Sequence, residues 1–229
     1  MYVVKIGGSL LFNEKEQIKQ NLISNYAKTI KNIFSQKKEK CAIVIGGGKL
    51  ARKYVASTRA FGSSESYNDI IGIEAAKLNA RLFISALGDI AFPNPPDNFQ
   101  DFLALYNKTE KIIVCGGFQP GQSTNAVAAL IAESTAARKI INMTDVDGVY
   151  SEDPDKNPQA KLLSEIKIKD FFELIASKTT QAGYYPLFDL TALQIIQRSK
   201  IPLNFINGNE PNNLVKALSN EAIGTMIIY

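Results

Sequence analysis

Short apolar runs alternate with longer stretches of helical periodicity over most of the chain. The runs are rich in β-branched residues and predict strands at Tyr2–Ile6, Ala42–Ile45, Lys111–Cys115 and Ile140–Thr144. Between them, apolar residues recur every three or four positions, which predicts helices at Gln17–Phe34, Lys49–Phe61, Tyr67–Leu87 and Ser123–Ala137. This alternation indicates an α/β fold, a three-layer α/β/α sandwich with a central, mainly parallel sheet.

The rest of the chain contains two loops and a second run of elements. Three prolines predict a loop at Ala91–Gln100, and the Asp-, Pro- and Asn-rich stretch Asp145–Pro158 predicts a functional loop or hairpin. Beyond it, the pattern predicts two helices, a strand at Leu203–Ile206, a helix and a strand at Thr225–Ile228. We expect a single domain over residues 1–229 with two lobes, about 1–140 and about 141–229.

Composition and charge narrow the class of protein. Hydrophobic residues make up 45% and charged residues 21% of the 229 residues, as in a soluble globular domain. The net charge is only +4, and the densest basic run, Lys37, Lys38 and Lys40, is interpreted as a solvated turn, so no nucleic-acid partner is expected. The sequence has no histidine, which excludes Ser-His hydrolases and Cys/His zinc sites. Cys41 and Cys115 are expected to be buried, reduced thiols.

The sequence carries no sign of membrane association. The chain enters a strand-like run at once, without a basic segment and an apolar signal region, and no apolar stretch is long enough to span a bilayer. We therefore expect a cytoplasmic protein.

Three glycine-rich segments each follow a predicted strand. They are Lys5-Ile6-Gly7-Gly8-Ser9, Gly46-Gly47-Gly48 with Lys49 and Arg52 after it, and Gly116 to Thr124. Glycines let the backbone approach a phosphate closely, and the amides at the start of the following helix can bind it. A fourth segment, Thr144 to Tyr150, contains an Asp-Gly step that by itself predicts only a hairpin turn.

The second segment admits a competing interpretation. It is not a Walker A loop, because Ile43 and Leu50 stand where that motif needs Gly and Ser or Thr. Gly46, Gly48 and Ala51 resemble a degenerate Rossmann fingerprint, which keeps an NAD-dependent oxidoreductase open. However, ligands of parallel sheets bind at the carboxyl ends of strands, and three glycine segments there suggest several phosphates. Phosphoryl transfer is mostly positioning and charge neutralisation, so it needs no histidine.

The motifs together resemble UMP kinases of the amino-acid-kinase superfamily, of the short archaeal type. The resemblance rests on KIGGSLL, IGGGKLAR, YNDIIGIEAAKLNARLFISAL, GGFQPGQSTNAVAALIAE, TDVDGVYSEDP and FDLTALQIIQRSKIPLNFIN, and it covers essentially the whole chain. It implies the amino-acid-kinase fold, ATP-dependent phosphorylation of UMP to UDP, an acceptor-binding N-terminal lobe and an ATP-binding C-terminal lobe. It also implies a homohexamer built as a trimer of dimers, with Mg2+ carried by the ATP phosphates and no dedicated metal site.

Site roles follow from the resemblance, residue by residue. The catalytic residues would be Lys5, near the transferred group, and Arg52, near the phosphates. The residues implied in ATP binding are Gly8, Ser9, Gly48, Arg52, Thr144, Tyr150 and Asp153. The residues implied in UMP binding are Gly47, Asp69 and the uridine loop Gly117, Phe118, Gln119, Pro120, Gly121, Gln122, Ser123 and Thr124.

One position departs from the family pattern, and other functions of the same fold stay open. Archaeal relatives usually carry Asn where this chain has Asp145, and in acetylglutamate kinases an Asp at the matching place organises catalytic lysines; the role of Asp145 is left open. Isopentenyl phosphate kinases resemble this fold but use a histidine, which is missing here. A non-catalytic binding protein would not need Lys5 and Arg52.

Overall fold

The computed structural model describes residues 1–36, 39–152, 154, 157–178 and 188–229. The strands are β1 (Tyr2–Ile6), β2 (Cys41–Ile45), β3 (Ile113–Cys115), β4 (Lys139–Thr144), β5 (Glu165–Lys167), β6 (Leu203–Asn207) and β7 (Thr225–Ile228). The α-helices are α1 (Gln20–Gln36), α2 (Gly48–Ala60), α3 (Glu65–Leu87), α4 (Phe99–Tyr106), α5 (Thr124–Ser134), α6 (Ile168–Lys178), α7 (Leu190–Ser199) and α8 (Asn212–Leu218). Short 3-10 turns occupy Gly8–Leu11 and Gly88–Ile90.

The strands of the described residues form one sheet in the order β3-β2-β1-β4-β6-β7-β5. The pairs from β3 to β6 are all parallel, β7 is antiparallel to β6, and β5 runs parallel to β7. The expectation of a mainly parallel sheet is therefore confirmed. Because β1 to β4 point the same way, the four segments that follow them lie along one edge of the sheet.

Helices cover both faces of the sheet, because its central strands are apolar on both sides. Side chains alternate between the faces along each strand, so Val3 joins one core and Val4 the other. The first core lies under α4, α5, α6 and α7, and the second lies under α1, α3 and α8. This is the three-layer arrangement that the sequence predicts.

Several helix boundaries follow from capping side chains. Ser64, Asn98, Ser123 and Asp189 each accept a hydrogen bond from a backbone N–H in the first turn of the helix that they begin. The cap at Asn98 starts α4 inside the predicted proline loop, which therefore ends earlier than the prolines indicate. The cap at Ser64 likewise begins α3 two residues before the predicted start at Tyr67.

Cys41 and Cys115 are both buried free thiols in the two cores, as the sequence predicts. Burial raises the pKa of both thiols. Among the described residues, no helix is long and apolar enough to cross a membrane.

Candidate active site

The carboxyl ends of β1 to β4 open into one cleft of about 630 Å³. All three glycine-rich segments and the turn after β4 contribute to its lining. The predicted site residues that line it are Lys5, Gly8, Ser9, Gly47, Gly48, Arg52, Asp69, Gly117, Gln122, Ser123, Thr124, Thr144 and Tyr150. The parallel sheet thus brings together residues that lie up to 145 positions apart, as expected of a site at the strand ends.

Part of the predicted uridine loop does not line the cleft. Phe118 is buried and packs against Phe99, with ring centroids 6.4 Å apart. Gln119, Pro120 and Gly121 are exposed beside it. In this structure Phe118 is a core residue, because the loop passes over the start of α4 before it reaches α5. Asp153, the remaining predicted site residue, lies outside the described residues.

The first two glycine segments pack against each other through their backbones. A Cβ atom at Gly8 would overlap Gly46 and Gly48, and a Cβ atom at Gly48 would overlap Gly8. Gly48 also has a φ of +63°, a conformation that favours glycine. No other residue type fits this crossing without a shift of one segment. The cleft floor is therefore formed by closely packed backbone without side chains, which suits close approach by a phosphate.

α3 crosses directly over the second and third glycine segments. The buried side chain of Asn79 donates from Nδ2 to the carbonyl oxygens of Gly46 and Gly47, at 2.9 and 3.1 Å. A Cβ atom at Gly117 would lie 2.8 Å from Cγ1 of Ile73. These contacts hold both segments against the helix. Gly117 is consequently required for helix packing, whether or not a ligand approaches it.

α2 begins at the cleft, and no side chain of the described residues caps its first turn. Its N-cap residue is Gly47, and its first turn contains no acidic residue. The first N–H groups of a helix lack intrahelical partners and carry a partial positive charge. Arg52, one turn further on, adds a guanidinium to the lining. This helix start is suited to bind an anion.

Lys5 lies near the end of β1, with its side chain partly buried on the face that α5 covers. Burial lowers its pKa from 10.5 to about 8, because an ammonium loses hydration there. Asp145 and Asp189 act in the opposite direction and favour the charged form. Lys5 is therefore still mainly cationic at neutral pH, inside a cleft lined by backbone amides.

A pair of helix caps connects the neighbourhood of Lys5 to the third glycine segment. Ser123 caps α5, and its hydroxyl donates to the carboxylate of Asp189, which caps α7. The starts of α5 and α7 therefore converge beside the cleft. Asp189 was not predicted as a site residue. Its place before the helix Leu190–Ser199 is a recognisable cap signal, but nothing local in the sequence shows that it lies near Lys5.

Asp69 lies on α3 and lines the cleft with an exposed carboxylate. Its Oδ2 accepts a hydrogen bond of 2.8 Å from the backbone N–H of Gly121. The acidic residue in the first turn of α3 is Glu65, so Asp69 lies beyond the turn where a carboxylate best complements the helix dipole. The carboxylate thus has a structural partner, the loop at Gly121, in addition to its exposure to the cleft.

Two side-chain hydrogen bonds to Asp147 stabilise the turn after β4. The Tyr150 hydroxyl donates to one oxygen of Asp147 at 3.1 Å, and Asn207 Nδ2 donates to the other at 2.8 Å. Burial and then the bond to Asp147 raise the pKa of Tyr150. Tyr150 also forms an antiparallel β-bridge with Leu162, so the chain on the two sides of the predicted loop pairs as in a hairpin. This turn forms the wall of the cleft opposite α3.

Comparisons with known proteins agree with this geometry. A sequence profile described as Amino acid kinase family matches residues 1–207. The uridylate kinase of Methanobrevibacter smithii is 44% identical over 226 residues, which cover 99% of this chain and 98% of the relative. The uridylate kinase of Methanothermobacter thermautotrophicus is 41% identical over the same shares of the two chains.

Solved structures show the same fold. The crystal structure of uridylate kinase from Archaeoglobus fulgidus superposes with a TM-score of 0.84 at 41% identity, covering 99% of both chains. The UMP kinase from Ureaplasma parvum superposes with a TM-score of 0.78 over 100% of this chain and 98% of that one. Its identity is 24%, so this second likeness concerns the fold alone.

Proposed function

The chain belongs to the amino acid kinase family, and from this premise we propose that it transfers the γ-phosphate of ATP to UMP, forming ADP and UDP. The observation that carries the proposal is the single cleft in which Lys5, three glycine segments and the uncapped start of α2 meet. Such a cleft provides several phosphate-binding elements around one buried cation. Two nucleotides that exchange a phosphoryl group need this arrangement, and the full-length relatives are uridylate kinases.

We place the acceptor on the N-terminal side of the cleft, in the lobe of about residues 1–140. Gly47 and the third glycine segment would hold the phosphate and uridine of UMP, and Asp69 would accept hydrogen bonds from the ribose hydroxyls. A carboxylate suits this role because it only accepts, and two neighbouring hydroxyls can both donate to it. The bond from Gly121 to Asp69 fixes the loop next to that carboxylate.

We place ATP on the C-terminal side, in the lobe of about residues 141–229. Thr144, Tyr150 and Asp153 would contact the nucleoside end. Gly8, Ser9 and Gly48 would line the phosphates where the first two glycine segments cross, and Arg52 would bridge the phosphates of both substrates. A guanidinium is suited to the bridge because its planar fork can bind two oxygens at once.

Lys5 is the proposed catalytic cation. During transfer, negative charge shifts towards the bridging oxygen that leaves with ADP, and a fixed cation in a partly desolvated site stabilises that charge. Asp145 and Asp189 keep Lys5 protonated despite its burial. The proposed transfer needs no general base, since positioning and charge stabilisation supply most of the catalysis in phosphoryl transfer.

The donor set of the cleft fits a magnesium ion bound mainly to phosphates. Among the described residues there is no group of three or more side chains that could hold a metal by themselves. Mg2+ keeps several waters and is commonly held through one or two carboxylates and substrate phosphates. It would supply neutralisation of phosphate charge, while Lys5 and Arg52 provide the protein's own cations.

The alternative of an NAD-dependent oxidoreductase finds no support in the geometry. A Rossmann fingerprint uses its second glycine for close approach to the pyrophosphate. Such a fingerprint is one glycine-rich turn, whereas here Gly48 crosses Gly8 of a second glycine segment and both residues line the cleft. Asp69, the acid at roughly the right spacing, is on α3 and not at the end of a strand.

We also propose that the protein works in the cytoplasm as a homohexamer. Large apolar side chains are exposed on α2 and α3 and at their junction: Tyr54, Phe61, Tyr67, Ile70 and Leu78. An exposed surface of this kind is typical of subunit contacts. It supports association through these helices, and the family resemblance implies that the assembly has six copies.

A coupled ADP-release assay tests the function. We expect ADP release from MgATP when UMP is added, with CMP, AMP and GMP much poorer acceptors. Isopentenyl phosphate serves as the acceptor of a related kinase, and NADH binding tests the oxidoreductase. Equal turnover with isopentenyl phosphate, or ADP release without any acceptor, would contradict the proposal.

A further inference from the structure

Asn142 is a buried polar residue beside Lys5 that the proposed mechanism has not used. It lies on β4 directly opposite Lys5 of β1 in the parallel pairing, and both side chains are on the face covered by α5. Neighbouring strands are about 4.8 Å apart, so the two side chains are adjacent. Asn142 is 1% exposed. The pairing therefore places the Asn142 amide on the strand position next to that of Lys5, beneath the cleft.

Only one end of this amide has a partner within the described residues. Asn142 Nδ2 donates to Asn125 Oδ1 at 3.2 Å, whereas Asn142 Oδ1 is buried without a hydrogen-bond donor in the described part of the chain. A buried carbonyl oxygen without a donor is energetically unfavourable. Lys5 Nζ likewise makes no hydrogen bond to a described residue. Within the described residues, an acceptor without a donor and a donor without an acceptor thus lie on paired strand positions.

The partner of the amide is itself fixed. Asn125 lines the cleft in the first turn of α5, and its backbone N–H donates to the Ser123 hydroxyl, which in turn donates to Asp189. The orientation of Asn142 is therefore set from the helix side by a chain of hydrogen bonds. With Nδ2 engaged by Asn125, the free oxygen is left for a donor on the sheet side.

We propose that Asn142 is a positioning residue for Lys5: its Oδ1 accepts one hydrogen bond from the Lys5 ammonium while the remaining N–H groups face the phosphoryl group in transfer. An ammonium has three donors, and phosphoryl oxygens need not take all of them. A neutral acceptor directs the ammonium without cancelling its charge, which a carboxylate at this place would do. The inference rests on the proposed function, because it assigns Lys5 to the transferred group.

Two substitutions test the role, and the chain offers a matched control. Asn142→Leu removes the acceptor at similar volume, and Asn142→Asp keeps an acceptor but adds charge. The control is Asn204→Leu, because Asn204 on the next strand, β6, is also 1% exposed and also has an Oδ1 without a described donor. Its neighbours Leu203 and Phe205 belong to the core under α5 and α7, so Asn204 points to the opposite face.

We expect Asn142→Leu to lower kcat about ten- to a hundredfold, the range for losing one hydrogen bond to a charged group, with little change in KM for ATP or UMP. The alkaline limb of the kcat profile should move to lower pH, because the ammonium loses an acceptor. Asn142→Asp should move the same limb to higher pH, because a carboxylate favours the ammonium. Asn204→Leu should change the melting temperature alone.

Other charged groups near Lys5 are unchanged in all three variants. Asp145 and Asp189 act on it directly, and the remaining ionisable side chains of the cleft lining are Arg52, Arg59, Glu65, Asp69, Tyr150 and Glu152. A wild-type kcat and pH limb in Asn142→Leu would overturn the proposal, as would equal losses in Asn204→Leu. If Asn142→Leu fails to fold, an unmoved limb in Asn142→Asp overturns it instead. Wild-type protein that does not phosphorylate UMP would refute the proposed function and, because the role of Asn142 rests on it, this proposal as well.

Discussion

Replacing Lys5 by methionine should make the protein more stable and nearly inactive at the same time. Methionine has a similar length and is apolar, so it can fill the partly buried space without a charge. The pKa of Lys5 falls from 10.5 to about 8 on folding, because burial outweighs the attraction of Asp145 and Asp189. Each pKa unit corresponds to about 1.4 kcal/mol, so the charged Lys5 side chain destabilises the folded state by at most about 3 kcal/mol.

The stability difference between Lys5→Met and the wild type depends on pH. Below pH 8 the lysine is charged in both the folded and the unfolded chain, so the full penalty acts on the wild type. Between pH 8 and 10.5 the folded form loses its proton first, and the penalty disappears as the pH rises. We therefore expect Lys5→Met to be more stable than the wild type at pH 7, by up to about 3 kcal/mol, and to lose this advantage above pH 10.5.

The kcat of Lys5→Met should fall, although its stability rises. Removal of one electrostatic stabiliser of a transition state lowers kcat by roughly two orders of magnitude or more. UMP affinity should change little, because the charge of Lys5 matters most after the phosphoryl group begins to move. Urea denaturation at several pH values and steady-state kinetics with MgATP and UMP provide both measurements. Stability sacrificed for a charged group in an active site is a common trade-off.

Lys139 provides a matched control for this substitution. It is also buried with a lowered pKa, but it lies at the start of β4, at the opposite edge of the sheet from the cleft. Its Nζ donates to the Ala217 carbonyl and to Asn220 Oδ1, so Lys139→Met should destabilise the protein and leave kcat unchanged. An unchanged kcat in Lys5→Met, or a loss of stability at pH 7, would refute the reasoning about Lys5.

Three further predictions concern other parts of the molecule. Asp69→Ala should weaken UMP binding by about 1.5–3 kcal/mol and reduce any preference for UMP over dUMP, while KM for ATP stays unchanged. A lower melting temperature with an unchanged KM for UMP would mean that Asp69 only holds the loop at Gly121. Gly48→Ala should destabilise the protein by more than Gly62→Ala. Both glycines have a positive φ, so either substitution introduces about 1–2 kcal/mol of backbone strain, but only the Cβ at residue 48 meets the backbone of another segment. Equal losses of stability would mean that the two glycine segments can move apart at little cost. Light scattering should show an oligomer that Leu78→Lys dissociates, and a monomer at all concentrations would refute association through α2 and α3.

The layers of the fold and the edge of the sheet at which the site lies could both be predicted from the amino-acid sequence. Strand and helix periodicities are local patterns, so β1, β2, β4 and the helices α1, α2, α3 and α5 could be predicted from neighbouring residues, whereas the short helix α4 was not predicted. Because each glycine segment directly follows a strand of a parallel sheet, their meeting at one edge also followed from the sequence. The resemblance to a known family then supplied roles for individual residues, most of which line the cleft.

The contacts between residues far apart in the sequence could not be predicted and became visible in the folded chain. The sheet order β3-β2-β1-β4-β6-β7-β5 places Asn142 opposite Lys5, and the bond between the caps of α5 and α7 places Asp189 near it. No local pattern encodes these neighbours. The same holds for Phe118, whose place in a glycine-rich loop indicates a ligand contact but whose side chain packs against Phe99. Periodicity reports whether a side chain is buried, whereas its partners depend on strand order and on how closely the helices pack, and these are properties of the whole folded chain.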